Sequence, residues 1–311
     1  MKILAISGGS RNGTNDAMAR EALMGAREEG AEIEFINLYG LDLKPCTGCI
    51  ACVNSLMSGG AGDCFLKDDY LWLVDRVRDA DGVIFVMPVF EKGAPAIFKI
   101  IQDRMFGPSN DTGTNTVARM IAGKMGKTGP DPRKFAKKAV SIIGIGGSDW
   151  NTRFSCDLNL AVMVQMWTVI DDVVFSWSKS LIMDDEGVKK CRRVGSNIAR
   201  AAADIEKAKY LGDQGVCSNC HSRNFFLHAD GIAECEVCGI KGRLNNNEKG
   251  FVFSFDPEQL EHAHNLLPGK MLHMKDIGEM ESRFAEEKKM PDFKARQDMY
   301  KAFLESSMPP R

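Results

Sequence analysis

The feature that most constrains the fold is a regular alternation of strand-like and helix-like segments over residues 1–212 of this 311-residue chain. The strand-like runs are short and rich in apolar or β-branched residues: Lys2–Ile6, Glu32–Leu38, Gly82–Met87, Lys138–Gly144 and Asp172–Trp177. Helical patterns separate them: Thr14–Glu29, Asp68–Asp79, Pro95–Arg104, Thr152–Thr168 and Asp184–Leu211. This alternation predicts a doubly wound α/β fold, with five parallel strands in one sheet and helices on both faces. Ligands of such sheets bind at the carboxyl ends of the strands.

The composition excludes several classes of protein. A net charge of −2 gives no global attraction to nucleic acid or to an anionic membrane. The apolar run at the N-terminus breaks at Gly8, too early for a signal peptide, and no run is long enough to span a bilayer. We therefore expect a cytoplasmic protein, in which the ten cysteines serve as metal ligands or free thiols rather than disulfides.

Eight of the cysteines form two separate patterns. The first is Cys46-x2-Cys49-x2-Cys52, followed after eleven residues by Cys64, and a run of three cysteines at this spacing suits the corners of an iron–sulfur cluster. The second is Cys217-x2-Cys220, a gap of fourteen residues, and Cys235-x2-Cys238, which predicts a zinc ribbon. Cys156 and Cys191 fall on predicted helices, where we expect buried core thiols.

Two long links interrupt the alternation. Tyr39–Lys67 follows the second strand and carries the first cysteine pattern, so a function is expected there. Gly107–Pro132 precedes the fourth strand and is interpreted either as a lid over a substrate or as a plain insertion.

The composition changes after Gly212. We predict a first domain over residues 1–212 with a cysteine-rich loop at 45–67, a ribbon over 213–253, and a helical tail over 254–311. Asp230-Gly231 predicts a hairpin turn inside the ribbon. Helical patterns in the tail cover Pro257–Leu267 and Asp276–Leu304. Basic and acidic residues balance each other in the ribbon, which argues against nucleic-acid binding.

A glycine-rich turn follows the first strand. In Ser7-Gly8-Gly9-Ser10-Arg11-Asn12-Gly13-Thr14-Asn15, small residues and hydroxyls precede a helix, and this arrangement directs backbone amides toward a phosphate. The dinucleotide pattern G-x-G-x-x-G does not fit, because Ser10 stands at the second glycine.

Four segments in this order resemble the NADPH-dependent FMN reductase family, and in particular its iron–sulfur flavoprotein branch. They are Gly8–Asn15, Pro45–Cys52, Gly62–Asp69 and Met87–Gly93. The resemblance implies a flavodoxin-like fold and non-covalently bound FMN. It also implies a [4Fe-4S] cluster on Cys46, Cys49, Cys52 and Cys64, for which free thiols or a zinc site are the alternatives.

Carried over to this sequence, the resemblance implies three groups of FMN-binding residues. The phosphate group comprises Ser10, Arg11, Asn12, Gly13, Thr14 and Asn15. The ring and ribityl group comprises Pro88, Val89, Phe90, Glu91, Lys92 and Gly93. The third group, at the other edge of the ring, comprises Gly146, Gly147 and Ser148. Glu91, Lys92 and Ser148 are the candidate catalytic side chains, because they lie in loops that would face the flavin.

The sequence therefore predicts an FMN-dependent oxidoreductase. Electrons would come from NAD(P)H, or from reduced ferredoxin through the cluster, and pass to a small quinone-like or unsaturated acceptor. The alternatives are an electron carrier without its own substrate, and a flavin-dependent sensor whose ribbon binds a partner. We expect a homodimer or homotetramer. Structural zinc is expected in the ribbon, with rubredoxin-type iron as the alternative.

Overall fold

The computed structural model describes residues 1–248 and 250–307, so Lys249 of the predicted ribbon and residues 308–311 of the predicted tail lie outside the described residues. The central sheet has five parallel strands in the order β2-β1-β3-β4-β5. They are β1 (Lys2–Ser7), β2 (Glu32–Asn37), β3 (Gly82–Pro88), β4 (Ala139–Ile145) and β5 (Thr168–Phe175). This is the flavodoxin-like strand order, and the predicted fold class is confirmed.

Helices cover both faces of the sheet. The helices of the doubly wound unit are α1 (Thr14–Glu28), α3 (Tyr70–Asp79), α4 (Ala96–Met105), α6 (Phe154–Val164) and α7 (Asp185–Ala203). One apolar core lies under α1 and α7, and the other lies under α3, α4 and α6. Gly195 lets α7 pack against α1, because a Cβ atom there would collide with the carbonyl oxygen of Ala22. The two cores hold the strand ends in fixed positions.

Several predicted boundaries were wrong. Strand β5 begins at Thr168, four residues before the predicted start. The sequence pattern missed this part of the strand because it contains Asp171, an acidic residue that is buried and whose carboxylate accepts a hydrogen bond from Asn197. Helix α6 ends at Val164 rather than Thr168, and Met166 adopts a left-handed conformation with φ 54°. Helix α7 ends at Ala203, eight residues before the predicted Leu211.

The two long links contain short helices and pack together. The first link carries α2 (Ala51–Met57), and the second carries α5 (Thr112–Lys124). The buried ammonium of Lys134 joins the links, since it donates to the carbonyl oxygens of Ala61 and Ser109, each at 3.0 Å. Burial lowers the pKa of Lys134 to about 8. The second link therefore supports the cysteine loop.

The ribbon forms a separate antiparallel sheet in the order β6-β7-β8-β9. Its strands are β6 (Phe225–Leu227), β7 (Ala233–Cys235), β8 (Lys241–Asn247) and β9 (Gly250–Ser254). The predicted hairpin is confirmed, and Gly231 in its turn has a φ of 81° that favours glycine. The second hairpin, β8–β9, was not predicted, because polar Asn245–Asn247 hides its strand pattern.

The chain divides into two compact units, Met1–Lys270 and the residues from Met271 onward. The tail contains α8 (Leu267–Glu287) and α9 (Pro291–Phe303). The prediction of one continuous helical stretch over Asp276–Leu304 was wrong, because Pro291 begins a new helix. Pro257–His262 is a 3-10 helix, shorter than the predicted segment. Among the described residues, no helix is both long and apolar enough to cross a membrane.

Candidate active site

A cavity of about 760 Å³ opens at the carboxyl ends of the central strands. It is lined by the loops that follow β1, β3 and β4 and by one lysine after β5. The lining residues are Ser10, Gly13, Thr14, Asn15, Pro88, Val89, Phe90, Glu91, Lys92, Ile145, Gly146, Gly147, Ser148, Trp150 and Lys179. Most residues of the three sequence-predicted groups therefore surround one cavity, at the edge where a doubly wound sheet binds its ligand.

The loop between β1 and α1 has the features of an anion site. No described side chain caps the N-terminus of α1 at Gly13, so its first amides are free to meet a ligand. The amide nitrogen Nδ2 of Asn15 is buried and has no hydrogen-bond partner within the described part of the chain, although Asn15 lines the cavity. An unsatisfied buried donor is costly and indicates that a ligand acceptor completes the site.

A buried carboxylate fixes the shape of this loop. Asp16 accepts a hydrogen bond from the backbone amide of Asn12 at 2.7 Å and another from the Asn37 side chain, also at 2.7 Å. The same Asn37 amide donates to the Gly9 carbonyl at 3.0 Å. Asn12 is held with a φ of 59°, in the left-handed region. These hydrogen bonds within the protein hold the loop in its curved conformation.

The loop after β3 folds into a tight turn over residues 90–93. Phe90 and Gly93 exchange two backbone hydrogen bonds of 3.0 and 2.9 Å. Glu91 and Lys92 have φ angles of 45° and 71°, as in a type I′ turn, although neither is glycine. Such conformations persist only where the surroundings enforce them, and they often occur at functional sites.

The mouth of the cavity has aromatic and cationic groups. The side chains of Phe90 and Trp150 are 57% and 62% exposed, which leaves flat apolar surfaces facing the opening. The Lys92 ammonium lies 4.9 Å from the centroid of the Trp150 ring. This distance allows a cation–π contact between the loops that follow β3 and β4.

Three lining residues were missed by the sequence reasoning, and three predicted ones lie elsewhere. Ile145, Trp150 and Lys179 line the cavity although they were not predicted. Lys179 follows β5 at the same edge of the sheet, so the strand topology could have indicated that it lies near the cavity. The predicted residues outside the lining are Arg11, Asn12 and Gly93. Arg11 and Asn12 are exposed on the outer side of their loop, and Gly93 is buried behind its turn.

The first cysteine set lies in the loop that follows β2. Cys46 and Cys49 are exposed, and Cys52 and Cys64 are partly buried. Among the described residues, no three of these thiols lie within 4.8 Å of one another. That separation does not suit one shared metal ion, whereas each cysteine of a [4Fe-4S] cluster binds a different iron and stands further from the others.

Two of these thiols have polar partners. The Arg104 guanidinium, buried in an ion pair with Asp68, approaches the Cys64 sulfur at 3.3 Å. The backbone amide of Ala51 lowers the pKa of the Cys49 thiol. The contact at Cys49 favours the thiolate, which is the form that binds metal.

Comparison with known proteins decides the family. Residues 1–180 match the model of the NADPH-dependent FMN reductase family, which is more than half of the chain. The chain belongs to the NADPH-dependent FMN reductase family. It is an FMN-dependent oxidoreductase, and the cavity with its unsatisfied Asn15 donor fits the phosphate-bearing cofactor of that family.

The chain is also similar to three individual proteins. A solved structure titled flavone reductase is 45% identical, covers 100% of both chains and superposes with a TM-score of 0.90. The flavone synthase cfoJ of Aspergillus candidus is 27% identical over 89% of this chain and 88% of its own length. An iron–sulfur flavoprotein of Methanocaldococcus jannaschii is 38% identical over 33% of this chain and 51% of its own length.

The sulfurs of the second cysteine set converge on one point. The sulfurs of Cys217, Cys220, Cys235 and Cys238 all lie within 4.8 Å of one another. Cys217 and Cys238 are 3.7 Å apart, and Cys220 and Cys235 are 3.4 Å apart. Metal–sulfur bonds of ~2.3 Å in a tetrahedron separate the sulfurs by a little under 4 Å, so the four thiols fit a single metal ion.

The surroundings of this four-thiol site match a closed structural centre. Cys217, Cys235 and Cys238 are buried among apolar residues of the ribbon. His221 stacks on the Tyr210 ring, with centroids 4.1 Å apart, in agreement with its interpretation as a neighbour rather than a ligand. Cys156 and Cys191 are buried as predicted, and burial raises the pKa of each thiol to about 12.

The second long link does not reach the cavity. None of the residues that line it comes from 107–132. Instead, Lys127 donates to the Ser58 carbonyl at 2.7 Å, so this link contacts the cysteine loop. The interpretation of residues 107–132 as a lid over the substrate therefore finds no support in the lining of this cavity.

Proposed function

We propose that this chain is an FMN-dependent reductase that reduces the conjugated carbon–carbon double bond of a flavone-type acceptor. The observation that carries the proposal is the likeness to a flavone reductase over the full length of both chains. The flavone synthase relative is named for making a flavone, so both relatives are named for chemistry on the same class of molecule. The higher identity and complete coverage favour the reductive direction.

The cavity suits both a cofactor and a flat acceptor. The loop at Ser10–Asn15 would hold the FMN phosphate, because no described side chain caps the start of α1 and the Asn15 Nδ2 has no partner among the described residues. The loops at 88–92 and 146–148 would lie along the flavin ring. Phe90 and Trp150 offer exposed aromatic faces for stacking of the acceptor rings.

Bound reduced FMN would supply the hydride for this two-electron reduction, in which the carbon β to the flavone carbonyl would gain the hydride and the adjacent carbon a proton from water. The residues of this chain orient the acceptor and exclude water around it. Lys92 and Ser148 are donors able to bond the carbonyl oxygen of the acceptor, where negative charge grows during the reaction. Glu91 stands beside them as a candidate for proton exchange with solvent.

The test is anaerobic turnover with NADPH or NADH and flavone, followed by mass spectrometry. We expect a product that carries two additional hydrogen atoms. Trp150→Ala should raise the KM for flavone about tenfold and leave FMN binding unchanged, since stacking contributes ~1 kcal/mol or more. Trp72→Ala is the matched control, because Trp72 is an exposed tryptophan on α3 that does not line the cavity. Oxidation of the reduced enzyme by a quinone but not by flavone would contradict the proposal.

A second function, electron transfer through a cluster, is favoured by the iron–sulfur flavoprotein relatives and by the loop thiols. In this proposal Cys46, Cys49, Cys52 and Cys64 would hold a [4Fe-4S] cluster, which would supply single electrons to the flavin. Reduced ferredoxin should then reduce the flavin, and Cys49→Ser should abolish that reaction while reduction by NADPH persists. Equal reduction by ferredoxin in the parent and the variant would exclude this route.

A further inference from the structure

The turn at residues 90–93 requires support from outside itself. Glu91 and Lys92 both adopt left-handed conformations, each of which costs ~1 kcal/mol or more for a residue other than glycine. Both side chains are exposed, and the exposed contact of the Lys92 ammonium with the Trp150 ring does not offset the strain at both residues. Groups that bond to the backbone of the turn must therefore hold it in place.

The first turn of α6 supplies those groups. The carboxylate oxygen Oδ2 of Asp157 accepts a hydrogen bond from the Ala94 amide at 3.0 Å. The backbone amide of Arg153 donates to the Lys92 carbonyl at 3.1 Å. A Cβ atom at Gly93 would collide with the same Asp157 oxygen, so this glycine lets the turn lie directly against the carboxylate.

The other carboxylate oxygen of Asp157 has a separate partner. Oδ1 accepts from the Arg153 guanidinium at 3.0 Å, and that guanidinium is 70% exposed. An ion pair this exposed contributes little to stability. The bond from Oδ2 to Ala94, between partly buried groups, is therefore the contact through which Asp157 acts on the turn.

The ribbon fixes the same helix from another side. Cys156, Leu160 and Met163 of α6 pack in the apolar cluster that contains the ribbon cysteines. The Asn224 side chain of the ribbon donates to the Thr152 carbonyl at 3.1 Å, just before α6 begins. The beginning of α6 is thus held between the ribbon and the turn.

We propose that Asp157 is a positioning residue that fixes the 90–93 turn for flavin binding through the Ala94 amide. The ribbon contributes by holding the helix that carries Asp157. This proposal rests on the assignment of the FMN site to the cavity described above. It does not depend on the identity of the acceptor.

The experiment measures FMN binding to the full-length protein after removal of the flavin, by fluorescence titration. Asp157→Ala should weaken FMN binding about tenfold, equivalent to ~1.4 kcal/mol. Asp157→Asn should stay within twofold of the parent, because its amide oxygen still accepts from Ala94. Arg153→Ala is the matched control, and it should also stay within twofold, because it removes the ion pair and keeps the backbone bond to Lys92.

A second variant tests the same contact from the other side. Gly93→Ala should weaken FMN binding in the parent and have a smaller effect in the Asp157→Ala background, where the colliding oxygen is absent. Thermal unfolding of each variant identifies any that fail to fold. The FMN affinities of the variants that do fold then decide the test. Parent-like FMN affinity in Asp157→Ala would overturn the proposal, as would an equal loss in Asp157→Asn. Failure of the parent to bind FMN would instead overturn the assigned flavin site.

Discussion

The two cysteine sets share the same local spacing and differ in almost every physical property. Both contain a pair of cysteines with two residues between them, Cys46 and Cys49 in one set and Cys217 and Cys220 in the other. The ribbon sulfurs converge within 4.8 Å, and most of their residues are buried. The loop thiols are exposed or partly buried, and no three of them meet within that distance among the described residues.

Backbone hydrogen bonds account for the difference. The ribbon cysteines lie in two tight turns, closed by bonds from the His221 amide to the Cys217 carbonyl at 2.8 Å and from Gly239 to Cys235 at 2.9 Å. The β6–β7 hairpin brings the two turns together. The loop set has no strand around it, and only Cys52 lies on a helix. The ribbon site is therefore organised by the chain, whereas the backbone does not bring the loop thiols together among the described residues.

The largest expected effect is the loss of a ribbon cysteine. Cys235→Ser should abolish binding of the ribbon metal and lower the Tm on the order of 10 °C, because structural metal binding contributes directly to folding. Metal analysis and calorimetry measure both quantities. Cys49→Ser, in the loop, is the matched control and should leave the ribbon metal and the Tm nearly unchanged. Equal losses in the two variants would remove the distinction between the sets.

The second largest expected difference between the two cysteine sets is in the rate at which their thiols are alkylated. In protein purified in air with the ribbon metal bound, iodoacetamide at pH 8 should modify Cys49 first. The Ala51 amide lowers the pKa of Cys49, whereas burial raises the pKa of Cys156 to about 12, so Cys49 should react much faster than Cys156. Peptide mass spectrometry measures the rates. Modification of Cys156 or Cys235 as fast as Cys49 would contradict the assigned burial.

A smaller effect concerns the cavity of about 450 Å³ beside the ribbon, which Asp172, Tyr210 and His221 help to line. Burial raises the pKa of Asp172 to about 6 from an ordinary value of 3.8. The folded protein therefore holds this proton more tightly, and its contribution to stability is present at low pH and lost as the pH rises through about 6. The full shift corresponds to ~3 kcal/mol, but water in the cavity should reduce it to about 1–2 kcal/mol.

Substitution of Asp172 tests the direction of this pH dependence of stability. Relative to the parent, Asp172→Asn should gain about 1–2 kcal/mol in the free energy of unfolding between pH 4 and pH 7. Its amide oxygen retains an acceptor for the Ser155 hydroxyl, which bonds the parent carboxylate at 2.9 Å. Urea unfolding at the two pH values measures the difference. A gain that is the same at both would show that Asp172 does not titrate in this range.

Much of the fold followed from local pattern. Strands such as Gly82–Pro88 are continuous apolar runs, and their alternation with amphipathic helices defines the layers. The hairpin turn at Asp230-Gly231 was likewise predicted from its local sequence. The link between residues 107–132 and the cysteine loop could not be predicted, because the Lys134 ammonium joins Ala61 and Ser109 through long-range bonds that local propensity does not specify.

The site was predictable at the level of loops and less so at the level of side chains. The loops that contain Ser10–Asn15 and residues 88–92 reach one cavity because they follow β1 and β3. Trp150 and Lys179 enter the cavity through the directions of their side chains, which no sequence period specifies. Asp157 could not be found from sequence, since its role depends on a contact between residues 63 positions apart.

The most direct test of the account is the cofactor content of protein purified without oxygen, from an absorption spectrum with flavin, zinc, iron and sulfide analysis. The account predicts about one FMN and one zinc per chain, with about four iron and four sulfide if the loop cysteines hold a cluster. Flavin with zinc alone would restrict the protein to pyridine-nucleotide-dependent reduction. A chain that binds no flavin, or whose four ribbon thiols bind no metal, would contradict the account.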